Sequence, residues 1–239
     1  MSEKCPARPL VIIPTYNERG NILRLIPEVL SLDDSLHILV VDDASPDDTA
    51  GAVTSQIEIF PGRVFLLRRE GRLGLGSAYV RGFQWGLDGG YDFLIQMDAD
   101  WSHHPCYLPA MLEAAGTADF VIGSRYIEEG GTRNWGLGRR LISRFGSFYS
   151  QAVLGVKIAD FTGGFNGWSA EVLQSVGVET LRSNGYSFQI ELKHRAHRKG
   201  FRYVEIPIVF DERRSGRSKM SARIALEAFW RVWAFRFTA

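Results

Sequence analysis

Phe93-Leu94-Ile95-Gln96-Met97-Asp98-Ala99-Asp100 is the stretch on which the reading of this chain turns. A short apolar run that ends in two carboxylates one residue apart reads as a buried strand delivering its acids to a strand end. Carboxylate oxygens are hard ligands suited to Mg²⁺ or Mn²⁺. An ion held by Asp98 and Asp100 would grip a diphosphate and neutralise the charge that builds on it as a bond breaks. The same two residues would also serve as an Asx-rich turn, so the surrounding chain has to decide.

The pattern of an apolar run followed by polar residues recurs along the first half. Leu10-Val11-Ile12-Ile13 runs into Pro14-Thr15-Tyr16-Asn17-Glu18, and Ile38-Leu39-Val40-Val41 into Asp42-Asp43. Arg63 to Leu67 leads to the glycine-rich turn Gly71-Arg72-Leu73-Gly74-Leu75-Gly76, and Asp119 to Gly123 to Ser124-Arg125. Helical faces lie between them. One is Ile22, Leu25, Ile26, Val29 and Leu30, with a kink or break expected at Pro27. Ser45-Pro46-Asp47-Asp48 reads as a helix start, with Ser45 as cap and Asp48 as the acid of a capping box. Ala78, Tyr79, Phe83 and Leu87 mark another helix. Strands alternating with helices imply right-handed crossovers and an α/β fold with a mainly parallel sheet. Ligands bind outside the carboxyl ends of such strands, so these five loops should gather along one edge.

The second half reads differently. Residues 126–137 hold three glycines and no period, which predicts a mobile loop. A helix follows, carrying Arg139 and Arg140 at its start and Leu141, Ile142, Phe145, Phe148, Tyr149, Ala152 and Val153 on one face. Phe161 to Phe165 is a second glycine-rich turn, and Tyr186 to Arg198 is helical. Val204, Ile206, Ile208 and Phe210 alternate as a strand with one buried face, near a sheet edge because of Pro207. A basic turn runs from Arg213 to Lys219. Met220 to Ala239 is a helix rich in Trp, Phe and Arg, expected at a membrane interface or against a partner rather than on the domain's own core. The division is a main unit over 1–218 and an amphipathic helix over 219–239.

The totals narrow the classes. A chain of 239 residues with 45% apolar composition can bury a sizeable core. Its two cysteines make no framework and suggest a reducing compartment. Neither a secretory leader nor a run of about 18 apolar residues is legible. The net charge of +1 hides an asymmetry: the first 120 residues carry nine basic against 17 acidic side chains, and the last 58 carry 13 against five. A basic end suggests an anionic partner. The glycine turn at 71–76 is not the dinucleotide fingerprint and follows the third strand, which argues against a dehydrogenase. No Gly-x-x-x-x-Gly-Lys loop and no Gly-x-Ser-x-Gly elbow occurs. His103-His104-Pro105-Cys106 and Glu191-x-x-His194-x-x-His197 have no spacing that closes a zinc site, and read as surface or turn histidines.

What remains is an ordered set of motifs. Pro14-Thr15-Tyr16-Asn17-Glu18, Val40-Val41-Asp42-Asp43-Ala44-Ser45-Pro46-Asp47-Asp48-Thr49 and Asp98-Ala99-Asp100 together resemble the family 2 GT-A glycosyltransferases over about residues 10 to 220. A narrower set is similar to the polyprenyl (dolichol) phosphate mannose synthases. It comprises Leu73 to Tyr79, Asp100-Trp101-Ser102-His103-His104-Pro105, Gly123-Ser124-Arg125-Tyr126, Asp160 to Phe165, Gly185 to Gln189, and Arg213 with Gly216-x-Ser218-Lys219.

The resemblance implies a GT-A, Rossmann-like sheet and a site with named parts. Pro14, Tyr16, Glu18, Asp43, Gly74, Asp98, Ala99 and Asp100 would bind the nucleotide sugar, with Asp98 and Asp100 holding Mg²⁺ or Mn²⁺. Ser102 stands where the family often has a Gln ligand, so water would complete the shell. Arg125, Arg139, Ser143 and Arg213 would clamp the acceptor phosphate, with Arg125 and Arg213 also taking part in catalysis. The implied reaction is inverting transfer of mannose from GDP-mannose to a polyprenyl or dolichyl monophosphate. The alternatives are a glucosyl- or aminosugar transferase using a UDP-sugar, and a scaffold that binds without catalysis. The expected setting is the cytoplasmic face of a membrane, held peripherally, with no nucleic acid partner. Some members of the family carry spanning helices after this core. The C-terminal helix therefore fits a complete peripheral enzyme, a subunit of a membrane-spanning partner, or a chain cut short of such helices.

Overall fold

A computed structural model of the chain describes residues 6–181, 183, 185–211 and 230–237. Nine strands form two sheets among these residues. The large sheet has the order β3-β2-β1-β4-β7-β5-β8, made of β1 (Pro9–Thr15), β2 (His37–Asp42), β3 (Val64–Arg68), β4 (Phe93–Gln96), β5 (Phe120–Ser124), β7 (Asn166–Ser169) and β8 (Tyr203–Pro207). Every pairing is parallel except those of β7, which runs antiparallel between β4 and β5. This is the mainly parallel α/β sheet that the alternation predicts. β7 was not expected, because Asn166-Gly167-Trp168-Ser169 carries neither an apolar run nor an alternation.

The strands are apolar on both faces because both faces are covered. On β1, Leu10 and Ile12 join one core and Val11 and Ile13 the other. The first core lies under α3 (Leu75–Asp88), α6 (Ala170–Val176) and α7 (Tyr186–Arg198). The second lies under α1 (Arg19–Leu30), α2 (Thr49–Ile59) and α4 (Leu108–Ala115). Two glycines bring α3 down onto the sheet. A Cβ on Gly82 would stand 2.5 Å from Ile12 Cγ2, and one on Gly86 2.5 Å from Leu94 Cδ2. Close approach there aims the N-terminus of α3, and Gly74 before it, at the ends of β1 and β4.

Several local expectations are corrected. α1 runs through Pro27 unbroken and ends at Leu30. Proline forfeits one helical hydrogen bond, and so close to the C-terminus little helix remains to be disrupted. α2 starts at Thr49, one turn later than the Ser45 cap predicts. Ser45 instead gives its hydroxyl to Asp42 Oδ1 at 2.6 Å and accepts the Asn17 N–H at 3.0 Å, which ties the loops after β1 and β2 together. The segment 126–137 is pinned rather than mobile. β6 (Gly131–Thr132) pairs with β9 (Val209–Phe210) in the small sheet, and Trp135 is buried. The strand expected over Val204–Phe210 is accordingly two strands, and Val204 is exposed. β8 does lie at the sheet edge, as Pro207 suggests.

α5 (Leu137–Leu154) is the helix expected after the loop, and the structure shows which way its apolar face turns. Its apolar residues Leu141, Ile142, Phe145 and Phe148 face outward, between 54% and 69% exposed, and Leu137 is 77% exposed. Ser147, Ser150, Val153 and Leu154 are the residues turned inward. Amphipathic period identifies a face but not the medium that covers it. The helix over 230–237 docks on the domain's own core through Val232 and Phe235 while Trp230, Trp233 and Phe237 stay exposed. Arg213, the basic turn to Lys219, and the expected start of that helix lie outside the described residues.

Candidate active site

The loops at the carboxyl ends of β1 to β5 meet in one cleft of about 350 Å³, in the size range of a small-molecule site. Pro14 and Thr15 enter at the end of β1 and Tyr16 and Glu18 just beyond it, Asp43 after β2, Arg72, Gly74 and Leu75 after β3, Asp98, Ala99, Asp100 and His103 after β4, and Arg125 after β5. Trp135, Arg139, Thr162, Gly164, Gln189 and Phe210 close the far end. All eight residues named for nucleotide sugar binding therefore line a single cavity, together with Arg125 and Arg139. Ser143 is not part of this lining. Its hydroxyl accepts from Tyr126 at 2.7 Å, one residue removed from Arg125. Arg213 lies outside the described residues.

Three of these loops turn on non-glycine residues with left-handed backbone: Asn17 (φ 62°), Ala44 (φ 53°) and Trp101 (φ 66°). Alanine there costs on the order of 1–2 kcal/mol. Such strain gathers where backbone placement is fixed by its surroundings. Here each turn throws the chain back toward the cleft just after a strand.

The acids are held individually. Asp43 is buried and pairs with Arg69, whose Nε donates to Oδ1 at 2.5 Å while the other nitrogens reach Ser77 Oγ and the Gly74 carbonyl. That arginine links β2, β3 and the glycine turn. Asp100 accepts from Ser102 through both the main-chain N–H (3.1 Å) and the hydroxyl (2.5 Å) on Oδ1. Ser102 thus orients the carboxylate, and its hydroxyl is committed to Asp100. Tyr79 reaches up from α3 to donate to Asp98 Oδ1 at 3.3 Å. Burial, with the Asp98 charge added, pushes its phenol well above the ordinary range, so Tyr79 remains a donor.

His103 corrects the reading of a surface histidine. It is 2% exposed, stacked on Phe165 at 5.0 Å between centroids, and its Nδ1 accepts the main-chain N–H of Asp98 at 3.0 Å. It holds the main chain where it enters the first of the paired acids. His194 is likewise buried on α7, and Glu191 is taken by Arg195 and Ser183. No group of three or more metal-capable side chains occurs among the described residues. Asp98 and Asp100 supply two hard oxygen ligands, and a divalent ion bound there would need the rest of its shell from a ligand's phosphates and water.

At the opposite end Arg125 is 6% exposed and packed among the rings of Tyr126, Trp135 and Phe210. Its Nε and Nη2 edge is committed to Asp160 and Thr162. Arg139 lies over Trp135 at 4.1 Å. The cleft therefore has an acidic middle and a cationic end. Tyr79, His103, Trp135, Thr162, Gln189 and Arg69 are the parts that sequence reasoning did not name for the site. Tyr79, His103, Thr162 and Gln189 lie in motifs quoted for the resemblance, and that position was their available signal.

Residues 10–177 match the model of glycosyl transferase family 2. The chain belongs to that family. Two relatives cover nearly all of it. A polyprenol monophosphomannose synthase of Mycolicibacterium smegmatis is 46% identical over 233 residues, spanning 96% of this chain and 88% of its own. An undecaprenyl-phosphate mannosyltransferase of Micrococcus luteus is 44% identical over 221 residues, 92% of this chain and 90% of its own. Among solved structures, a glucosyl-3-phosphoglycerate synthase of Mycobacterium tuberculosis, with Mn²⁺, UDP and glucosyl-3-phosphoglycerate, superimposes with a TM-score of 0.67 at 20% identity. It covers 98% of this chain and 80% of that one. A mannosyltransferase of Pyrobaculum calidifontis, with GDP-mannose and Mn²⁺, gives 0.60 at 21% identity over 91% and 60% of the two chains. Likeness at that identity shows the shared glycosyltransferase fold. The expected family and fold class are borne out, and the chain is a glycosyltransferase.

Proposed function

We infer that the chain transfers mannose from GDP-mannose to a polyprenyl monophosphate, inverting the anomeric centre and releasing GDP. The observation that carries this is one cleft with the paired acids Asp98 and Asp100 in its middle, Arg125 and Arg139 at its end, and an exposed apolar helix beside those arginines. The names of the two relatives supply the sugar and the lipid acceptor.

The residues suit the chemistry. The ring of Tyr16 at the lip, with Arg72 over it at 4.9 Å, offers a stacking face to a base, and Asp43 an acceptor for its N–H groups. Asp98 and Asp100 would hold Mg²⁺ or Mn²⁺, which supplies charge to stabilise the departing diphosphate. A lipid phosphate is already anionic near neutral pH, so no general base is required. Arg125 and Arg139, with Arg213 as a third cation of the clamp that the resemblance implies, would align that phosphate. Its oxygen forms a bond to the anomeric carbon from one side. The bond to the diphosphate oxygen breaks on the other side, and its electron pair leaves with GDP.

The acceptor's tail is membrane-bound, and the surface next to Arg139 matches that. Leu137, Leu141, Ile142, Phe145 and Phe148 project from α5 with Arg140 and Arg144 also exposed. The face continues through Tyr149, which Phe145 stacks on, to Trp233, which hydrogen-bonds Tyr149, and on to Phe237. An apolar stripe flanked by arginines fits an anionic bilayer surface. No helix among the described residues is long and apolar enough to cross a membrane. Peripheral attachment at the cytoplasmic face is the setting we propose.

The reading of the donor is tested by ligand protection. With Mn²⁺ present, GDP should raise the unfolding temperature and UDP should not. A ligand at 100 times its Kd adds about 2.7 kcal/mol. Protection by UDP alone would favour a UDP-sugar donor and overturn the mannose reading.

A further inference from the structure

A buried chain of amides runs from the sheet into the cleft, and the transfer chemistry above leaves it unused. Trp168 on β7 donates its indole Nε1 to Gln96 Oε1 at 2.9 Å. An indole N–H can only donate, so the oxygen of Gln96 is fixed. Asn166 Nδ2 shares its two N–H groups among that same oxygen (3.2 Å), the Gly163 carbonyl (3.1 Å) and Gln189 Oε1 (3.1 Å). The reverse orientation of Asn166 would set its oxygen against two acceptors. With Gln189 Oε1 turned to Asn166, Gln189 Nε2 faces the other way. Gln189 is 4% exposed, it lines the cleft, and its Nε2 has no hydrogen-bond partner among the described residues.

The position of that donor is also fixed. A Cβ on Gly164 would stand 3.6 Å from Gln189 Nε2 and 3.6 Å from His103 Cε1. His103 is the residue that holds the Asp98 main chain, and Gly164 follows the turn that carries Thr162 against Arg125. Gln189 Nε2 therefore lies between the paired acids and the cationic end. The transferred sugar must occupy that interval, since it is bonded to the diphosphate on one side and approached by the acceptor phosphate on the other. A neutral amide donor between the acidic and the cationic parts of the cleft matches a neutral hydroxyl.

We propose that Gln189 Nε2 donates a hydrogen bond to a hydroxyl of the transferred hexose, which makes Gln189 a specificity-determining residue for the donor sugar. The proposal rests on the transfer reading above. Sites built to hydrogen-bond a hydroxyl discriminate far more sharply than apolar pockets do. The relay to Trp168 sets which end of the amide is presented, and so which polarity the sugar meets.

The test compares GDP with GDP-mannose on the full chain with Mn²⁺, by titration calorimetry and transfer kinetics. Gln189→Leu removes the amide. Gln189→Glu keeps its shape and its contact with Asn166 while replacing the donor with an acceptor. Both variants should bind GDP within about twofold of wild type, yet lose about tenfold or more in GDP-mannose affinity and in kcat/KM. Equal weakening of both ligands, or weakening of neither, would overturn the proposal. If Gln189→Leu fails to fold, Gln189→Glu decides alone. Failure of the mannose reading shows separately, as wild type that uses another sugar nucleotide. The same comparison is then run with that donor and its nucleoside diphosphate.

Discussion

Arg125 and Asp160 form a bidentate pair in the interior, Nε to Oδ2 at 2.6 Å and Nη2 to Oδ1 at 2.8 Å, and the Arg125 main-chain N–H adds a third bond to Oδ2 at 3.1 Å. Asp160 is fully buried. Around it, Glu205 accepts the main-chain N–H groups of Ala159 and Asp160, and Lys193 donates to the carbonyls of Asp160 and Gly163. A buried charge network thus sets the turn that carries Thr162 and Gly164, and with it the cationic end of the cleft.

Breaking that pair should be costly. Asp160→Asn leaves a buried guanidinium without its counter-charge, worth about 3–5 kcal/mol by analogy with other buried pairs. Burial alone would raise the Asp160 carboxyl. The charge and hydrogen bonds of Arg125, with Lys193 behind, reverse this and hold it at about 2 against 3.8 when unfolded. The stabilisation is complete above pH 3.8 and lost as pH falls through about 2. Denaturant unfolding across that range should show the loss in wild type and not in Asp160→Asn. Parallel acid profiles would contradict the assignment.

Lys193 gives the opposite sign. Burial lowers its ammonium to about 8 from 10.5, a shift that Asp160 and Glu205 only partly offset. Between those values the unfolded chain binds the proton that the folded one has released, so wild-type stability gains with rising pH. Measured against Lys193→Met, the stability difference should climb from pH 8 to 10.5. A flat difference would place the lysine in a solvated setting, and a falling one would mean that Asp160 and Glu205 outweigh burial; either would contradict the assignment.

On the proposed reading Asp100 is a ligand of the ion and Ser102 its support. Asp100→Ala should abolish transfer and leave the unfolding midpoint nearly unchanged, since it removes an oriented oxygen rather than core. Ser102→Ala should lower activity by about tenfold, consistent with loss of roughly one hydrogen bond that aims the carboxylate. Near-normal turnover by Asp100→Ala with metal present would remove the metal role from this pair.

The α5 face predicts a separation of binding from stability. Phe145→Glu combined with Phe148→Glu changes exposed positions, so stability should move by no more than about 0.5 kcal/mol per site. Burying a Phe or Leu is worth about 1.5–3 kcal/mol each, and losing two such anchors should release the protein from sedimenting anionic vesicles. Unchanged sedimentation would assign the membrane contact elsewhere.

What could be read from the chain follows from which interactions are local. The strand ends, the acids after β1, β2 and β4, and the parallel order are written in runs of Val, Ile and Leu followed by polar loops. β7 is not, because Gly167 and Asn166 form a strand only through the register offered by β4 and β5. α5 announces an apolar face, and only the packing of Ser147 and Ser150 inward reveals that this face is the outer one. His103 looks like a turn residue until Phe165 is stacked against it. Gln189 is a single polar position on a helix, given meaning by Asn166, 23 residues earlier in the chain.

The most direct test of the central claim is formation of a polyprenyl-phosphate sugar from radiolabelled GDP-mannose, UDP-glucose and UDP-GlcNAc, each with and without polyprenyl phosphate and Mn²⁺. The account predicts labelled lipid and GDP release only with GDP-mannose, and only when lipid phosphate and metal are both present. Lipid labelled from a UDP-sugar instead, or no labelled lipid from any donor despite nucleotide binding, would contradict it.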